Sequence, residues 1–139
     1  MSPYPMDPTE AVGPMRLVLT ALPDEPTARR ISRGALDLRL AACVNRWPIA
    51  SAYWWKGQIE DAIEVIALFK TTPKRVGALV EYLGQEHPYD VPEIVELDVG
   101  RVHPPYLTYL VSVLGTDGHP LSRPRSPKSS QRPRRSVGP

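Results

Sequence analysis

Hydrophobic residues recur along the central part of the chain at spacings that predict four strands and three helices. The run from Met15 to Leu22 is apolar and β-prone, which predicts a first strand. Apolar residues then recur three and four positions apart, as they do on one face of a helix. These residues are Ala28, Ile31, Ala35 and Leu38. Asp24 precedes them and is suited to cap the helix N-terminus.

Two unusually long strands are predicted next, joined by a tight turn. They cover residues 42–56 and 59–71, with the turn at Lys56-Gly57-Gln58. Because strands in globular proteins usually have about five or six residues, a hairpin of this length should extend beyond its sheet. Pro48 interrupts the first of the two strands and cannot donate a hydrogen bond to a neighbour, which marks a sheet edge or a bulge.

The remaining pattern predicts helix, strand and helix. Thr72-Pro73 is a typical helix start, and His87-Pro88 should end that helix. A short strand over residues 94–99 and a last helix over residues 106–114 follow. The order strand, helix, strand, strand, helix, strand predicts an α+β ferredoxin-like βαββαβ sandwich with an extended second hairpin and a C-terminal helix.

The sheet face away from the two main helices is predicted to be apolar at its centre. In the third strand, the positions predicted to face the helices are Ile63, Val65, Ala67 and Phe69. The opposite face carries Ile66 and Leu68, although a face open to water should be polar. Residues 53–55 also form an aromatic run in an edge strand. We therefore expect a homo-oligomer paired partly at sheet edges; the alternative is that the last helix covers this face alone.

Proline and charge divide the 139 residues into three parts. Of the 17 prolines, four lie in residues 1–14 and five in residues 116–139. Residues 15–115 are the predicted folded domain, between an N-terminal lead and a Pro/Ser/Arg-rich tail that are both expected to be disordered. The tail has six basic residues and one acid, so it carries a charge of +5, and the rest carries −3. A nucleic-acid-binding body is therefore disfavoured.

The sequence also excludes several classes of protein. Cys43 is the only cysteine, so one chain has neither a disulfide nor a cysteine-rich zinc site. No apolar run approaches the roughly 18 residues of a membrane-spanning helix, and the N-terminus lacks a secretory signal pattern, so we expect a cytoplasmic protein. Because no phosphate-binding loop, dinucleotide fingerprint or nucleophile elbow is present, we expect no enzyme.

Four motifs stand out within the predicted domain. They are Leu40-Ala41-Ala42-Cys43-Val44-Asn45, Ser51-Ala52-Tyr53-Trp54-Trp55-Lys56-Gly57, Phe69-Lys70-Thr71 and His87-Pro88-Tyr89-Asp90-Val91-Pro92-Glu93. Together they resemble the CutA family of divalent-cation tolerance proteins over about residues 15–115. The resemblance implies a homotrimer linked by its long hairpins and an association with copper and other divalent cations. The family's trimer is similar to that of the PII signalling proteins, which bind small effectors between subunits.

Three residues are candidate ligands for a divalent metal ion. Imidazole suits copper, zinc and nickel, and we expect His87 and Glu93 to contribute to a metal or small-ligand site at a subunit boundary. The alternative is that His87 caps the helix end structurally. Cys43 is a candidate ligand for Cu(I), or else a small buried hydrophobic residue. Where some family members have a cysteine on the first strand this chain has Thr20, which favours harder ligands than a copper thiolate site.

Five further residues are candidates for lining a cleft between subunits. They are Trp55, Lys56, Glu64, Lys70 and Tyr89. A lysine among aromatic rings can hold an anionic ligand by charge and stacking. The alternative is a structural network of salt bridges at the interface.

Three functional hypotheses follow from the sequence. The first is a non-enzymatic, cytoplasmic homotrimer that binds a divalent metal ion of the copper type and takes part in metal ion tolerance. The second is a PII-like trimeric module that binds a small effector between subunits and signals to a partner protein. The third is weak association with nucleic acid through the basic tail. The alternative is that the tail only makes the protein more soluble and has no partner.

Overall fold

The domain combines one antiparallel sheet with three helices. The computed structural model describes residues 13–115, and the disorder predicted for the tail and for nearly all of the N-terminal lead concerns residues outside that range. The elements are β1 (Arg16–Leu22), α1 (Glu25–Asp37), β2 (Cys43–Trp55), β3 (Gln58–Thr71), α2 (Pro73–Glu86), β4 (Ile94–Asp98) and α3 (Pro104–Leu114).

The sheet has the strand order β2-β3-β1-β4, and every neighbouring pair is antiparallel. This order and the βαββαβ sequence confirm the predicted ferredoxin-like fold. Most element bounds agree with the prediction to within one or two residues. α1 begins at Glu25, directly after Asp24, which caps the helix as predicted: its carboxylate accepts a hydrogen bond from the Thr27 amide at 2.8 Å.

The main core lies between one face of the sheet and the helices α1 and α2. Its helical contributors include Ala28, Ile31, Ala35, Val76, Leu79 and Leu83. Phe69 in β3 is fully buried and stands beside Val18 of β1 and Val44 of β2 in the strand register. These residues follow the helical and alternating spacings seen in the sequence, because each spacing places side chains on the face that packs.

The long hairpin extends beyond the rest of the sheet, as predicted. β1 pairs with β3 only between residues 65 and 71 of β3, whereas β2 and β3 pair as far as Trp55 and Gln58. We call residues 49–64 the hairpin arm. The alternation predicts that Ile63 faces the helices with Phe69, but Ile63 lies in the arm and is 74% exposed. The prediction is therefore wrong for Ile63, because α1 and α2 do not reach that far along the strand, whereas Val65, Ala67 and Phe69 do lie in the core beneath them.

The second sheet face is covered at one end only. α3 packs there with Leu110 and Leu114 against Met15 and Leu17. Trp47, Val95 and Leu97 lie on the same face outside this cluster and remain 40–41% exposed. We call this uncovered apolar region the open face. α3 is about 16 Å long and does not cover these three residues.

Candidate functional site

A groove of about 870 Å³ lies between the hairpin arm and the loop that follows α2. Aromatic side chains on its lining are Tyr53, Trp54, Trp55 and Tyr89. Acidic side chains on its lining are Glu64, Asp90 and Glu93. We call it the acidic groove. Among the described residues that line it, none is lysine or arginine, so its charge favours a cationic ligand over an anionic one.

A hydrogen bond joins the two walls of the acidic groove. The hydroxyl of Tyr89 donates to Oε2 of Glu64 at 2.9 Å, and Glu64 is buried. Burial raises the pKa of Tyr89 above its ordinary value, and the hydrogen bond and charge of Glu64 raise it further. Tyr89 therefore remains a protonated donor at neutral pH and ties the loop to the base of the arm.

His87 lies behind the loop, bonded through both ring nitrogens to backbone. Nε2 is 2.8 Å from the carbonyl oxygen of Ala21, and Nδ1 accepts from the amide of Tyr89 at 3.2 Å. Since a carbonyl only accepts and an amide N–H only donates, the ring is neutral with its proton on Nε2. His87 also ends α2 as its C-terminal cap. A metal at His87 would have to displace one of these hydrogen bonds, so its ligand role stays a prediction.

Glu93 lies at the far end of the same loop and lines the groove. Its backbone carbonyl accepts a hydrogen bond from the hydroxyl of Thr20 at 2.6 Å, which fixes the loop to β1. The side chain of Thr20 is fully buried in this structural role. The loop thus presents Glu93 to the groove while His87 is held on the inner side.

Cys43 and Lys70 lie at the opposite end of the sheet. They are direct partners in the register of β2 and β3. The Lys70 ammonium is 5.8 Å from the ring centre of Tyr106 in α3. Burial raises the pKa of Tyr106, and the neighbouring Cys43 thiol raises it further. Neither Cys43 nor Lys70 is among the residues that line the acidic groove.

The structure therefore brings together only part of the predicted cleft. Trp55, Glu64 and Tyr89 line the groove, together with the predicted metal candidate Glu93. Lys56 is in the hairpin turn with a φ of 50°, its ammonium 5.8 Å from the ring centre of Trp55. Asp90 also lines the groove without having been predicted there, although it lies in the same motif as Tyr89 and Glu93.

The described part of the chain does not complete a metal site by itself. Within residues 13–115, no group of three or more histidine, cysteine, aspartate or glutamate side chains is close enough to hold an ion. The carboxylates on the groove are spread along its lining, and both nitrogens of His87 already have backbone partners. These residues therefore do not fit a closed single-chain centre.

The stability of the fold is expected to depend on pH through His87. Burial lowers the pKa of His87, and the hydrogen bond to Ala21 and the charge of Glu64 oppose this only in part. As pH falls below about 6.5, the unfolded chain takes up this proton before the folded one does, so folding is weakened. For one such proton, the free energy of unfolding falls by up to about 1.4 kcal/mol for each pH unit.

This pH dependence is measured by urea unfolding between pH 7 and pH 5. The wild-type chain should lose more stability over this range than the variant His87→Gln. The matched variant His103→Gln removes an exposed histidine and should behave like the wild type. Equal slopes for wild type and His87→Gln would contradict the buried, neutral state of His87.

The overhanging arm and the antiparallel sheet define a small α+β protein of the ferredoxin-like class. The sequence profile described as CutA1 divalent ion tolerance protein matches residues 16–113. The chain belongs to this family, which confirms the resemblance seen in the four motifs. The family's characteristic role is tolerance of divalent cations.

Individual relatives agree with this assignment. The chain is 43% identical to the divalent-cation tolerance protein CutA of Thermotoga maritima over 69% of this chain and 95% of that protein. It is 41% identical to the mouse protein CutA over 73% of this chain, but the match spans only 58% of the mouse protein. The solved structure of the periplasmic divalent cation tolerance protein CutA from Archaeoglobus fulgidus is 29% identical, with a TM-score of 0.70 over 72% of this chain and 98% of that chain.

The helices of the described region are short. Across residues 13–115, none has the length and apolar character needed to cross a bilayer.

Proposed function

We propose that this chain is a non-enzymatic, homotrimeric protein that binds a divalent cation at the acidic groove and serves metal ion tolerance. The observation that carries the proposal is the charge of the groove, which presents Glu64, Asp90 and Glu93 and no basic side chain among its described lining residues. Carboxylate oxygens are common ligands of divalent cations. Membership in a divalent-cation tolerance family also supports cation binding.

The cation is proposed to lie where two subunits meet. Since residues 13–115 of one chain supply no cluster of three ligands, a neighbouring subunit or water must complete the coordination. The carboxylates favour a hard cation such as Mg²⁺ or Mn²⁺. Copper stays a candidate, with His87 or Cys43 as a ligand, but His87 would first have to give up a backbone hydrogen bond.

The trimer is supported by the surfaces that one chain leaves uncovered. The open face exposes Trp47, Val95 and Leu97, and both β2 and β4 are edge strands. Exposed apolar patches and unpaired sheet edges are features of subunit interfaces. The hairpin arm overhangs the sheet and, in the proposed trimer, would contact a neighbouring subunit.

We also propose a cytoplasmic location for this chain. The Archaeoglobus fulgidus relative is described as periplasmic, so the two proteins would differ in compartment. Fractionation of the source cells tests the proposal. Recovery of the chain with the cytoplasmic fraction is expected, and recovery with a periplasmic fraction would contradict it.

The cation proposal is tested by thermal unfolding of the full chain. The chain is compared in chelator and after addition of Cu²⁺, Zn²⁺, Mg²⁺ or Mn²⁺. A cation that binds only the folded state stabilises it by about 2.7 kcal/mol at a hundredfold excess over Kd. The double variant Asp90→Asn/Glu93→Gln should lose this shift. The matched variant Asp37→Asn/Glu81→Gln, which removes two exposed carboxylates on α1 and α2, should keep it. A flat response of the wild type to every cation would contradict the proposal.

A second candidate function is a PII-like module that binds a small effector between subunits. It is favoured by the size of the acidic groove, about 870 Å³, which lies within the usual range for small-molecule sites. Four aromatic side chains offer stacking surfaces for such a molecule. Stabilisation by a nucleotide or another organic molecule, with no response to cations, would favour this function over the first.

A further inference from the structure

We propose that the acidic groove also docks residues 120–135 of the chain's own C-terminal segment. This inference goes beyond cation binding and does not require it. It rests on the charge of the groove, on its aromatic lining and on the length of chain that follows α3.

The two surfaces have opposite charges. The groove presents three carboxylates and, among its described lining residues, no lysine or arginine. Residues 120–135 contain six basic side chains and no acidic one. The basic side chains are Arg123, Arg125, Lys128, Arg132, Arg134 and Arg135. The planar guanidinium group of arginine forms paired hydrogen bonds with a carboxylate. The segment is therefore complementary to the groove in charge and in hydrogen bonding.

The aromatic lining of the groove fits proline and arginine. The segment contains Pro124-Arg125-Ser126-Pro127, a spacing typical of extended polyproline II ligands. Such ligands dock between aromatic rings at low entropic cost. Trp54 is 71% exposed in the single chain, so its ring is not packed against its own subunit and can stack with proline or guanidinium.

The segment is long enough to reach the groove of its own subunit. The last residue of α3, Leu114, accepts a hydrogen bond through its carbonyl from Arg75, at the start of α2. The groove lies beyond the other end of α2, and these 14 residues span about 21 Å. Pro124 comes nine residues after Gly115, which gives about 28 Å in a polyproline II conformation.

Photo-crosslinking of the full chain tests this docking. Benzoylphenylalanine is placed at Ser126, and the chain is irradiated in chelator so that no divalent cation competes. We expect adducts on residues 50–55 or 88–93. A product with the mass of one chain identifies docking within a subunit, and a product of two chains identifies the same segment from a neighbouring copy; both support the proposal.

The matched charge variants separate docking from accidental contact. Asp90→Asn/Glu93→Gln should lower the adduct yield about fivefold, as expected for the loss of two exposed ion pairs. Asp37→Asn/Glu81→Gln should leave it unchanged. Added salt should also lower the adduct yield, since the Debye length falls from about 10 Å at 0.1 M to about 3 Å at 1 M.

Adducts confined to other surfaces, or equal yields from the two double variants, would overturn the docking. Because the irradiation contains no metal, these outcomes are independent of the cation experiment. Either proposal can therefore fail without the other.

Discussion

Replacing Phe69 with alanine is expected to lower the free energy of unfolding by about 3–5 kcal/mol, the usual cost of removing a buried aromatic side chain. Phe69 is fully buried where β1, β2 and β3 meet the helices, so its loss leaves a cavity that a rigid sheet fills poorly. Chemical denaturation at a fixed chain concentration measures the change, because assembly contributes to apparent stability.

Ile63 provides the matched control for this substitution. It lies on the same strand and on the same side as Phe69, but it is 74% exposed in the hairpin arm. Ile63→Ala should therefore change the free energy of unfolding by less than about 0.5 kcal/mol. Similar losses for both variants would contradict the placement of the core at the helix-covered half of the strand.

Replacing Leu97 with aspartate is expected to dissociate the proposed homotrimer. Leu97 lies on the open face and is 41% exposed in the single chain, so assembly would bury it. A carboxylate that is buried without a partner costs several kcal/mol, and three copies would add this cost around one trimer. Light scattering after size-exclusion chromatography should then report the mass of one chain.

Leu38→Asp controls for the new charge itself. Leu38 is 43% exposed, nearly as much as Leu97, but it follows α1 on the other side of the sheet. This variant should keep the mass of the wild-type protein. If Leu97→Asp also keeps that mass, the open face is not the interface that we propose.

The fold was predictable because every element carries its own periodic signal. α1 and α2 show helical spacing, and capping residues or prolines mark where they begin. Alternation in β3 correctly placed Val65, Ala67 and Phe69 on the helix-facing side, but not Ile63. It did not show how deeply each residue is buried, because a period of two carries no information on how far the covering helices extend. The exposure of Ile63 is therefore visible only in the structure.

The candidate site was predictable only in part. Glu64 and Lys70 share a strand face, but six residues of strand separate them by about 20 Å, so Lys70 cannot join the groove at Tyr89. The pairing of Glu64 with Tyr89 depends on how the loop after α2 folds back, which local spacing does not specify. The same is true of His87, since its main partner, Ala21, is 66 residues away in sequence.

Native mass spectrometry of the purified full chain tests the central claim most directly, because it reports assembly and cation binding together. We predict a species with three times the 15.5 kDa chain mass that gains discrete cation adducts on addition of Mg²⁺, Mn²⁺ or Cu²⁺. Asp90→Asn/Glu93→Gln should keep the trimer and lose the adducts, whereas Asp37→Asn/Glu81→Gln should keep both. A single-chain species, or adducts of equal occupancy in the two double variants, would contradict a homotrimer that binds its cation at the acidic groove.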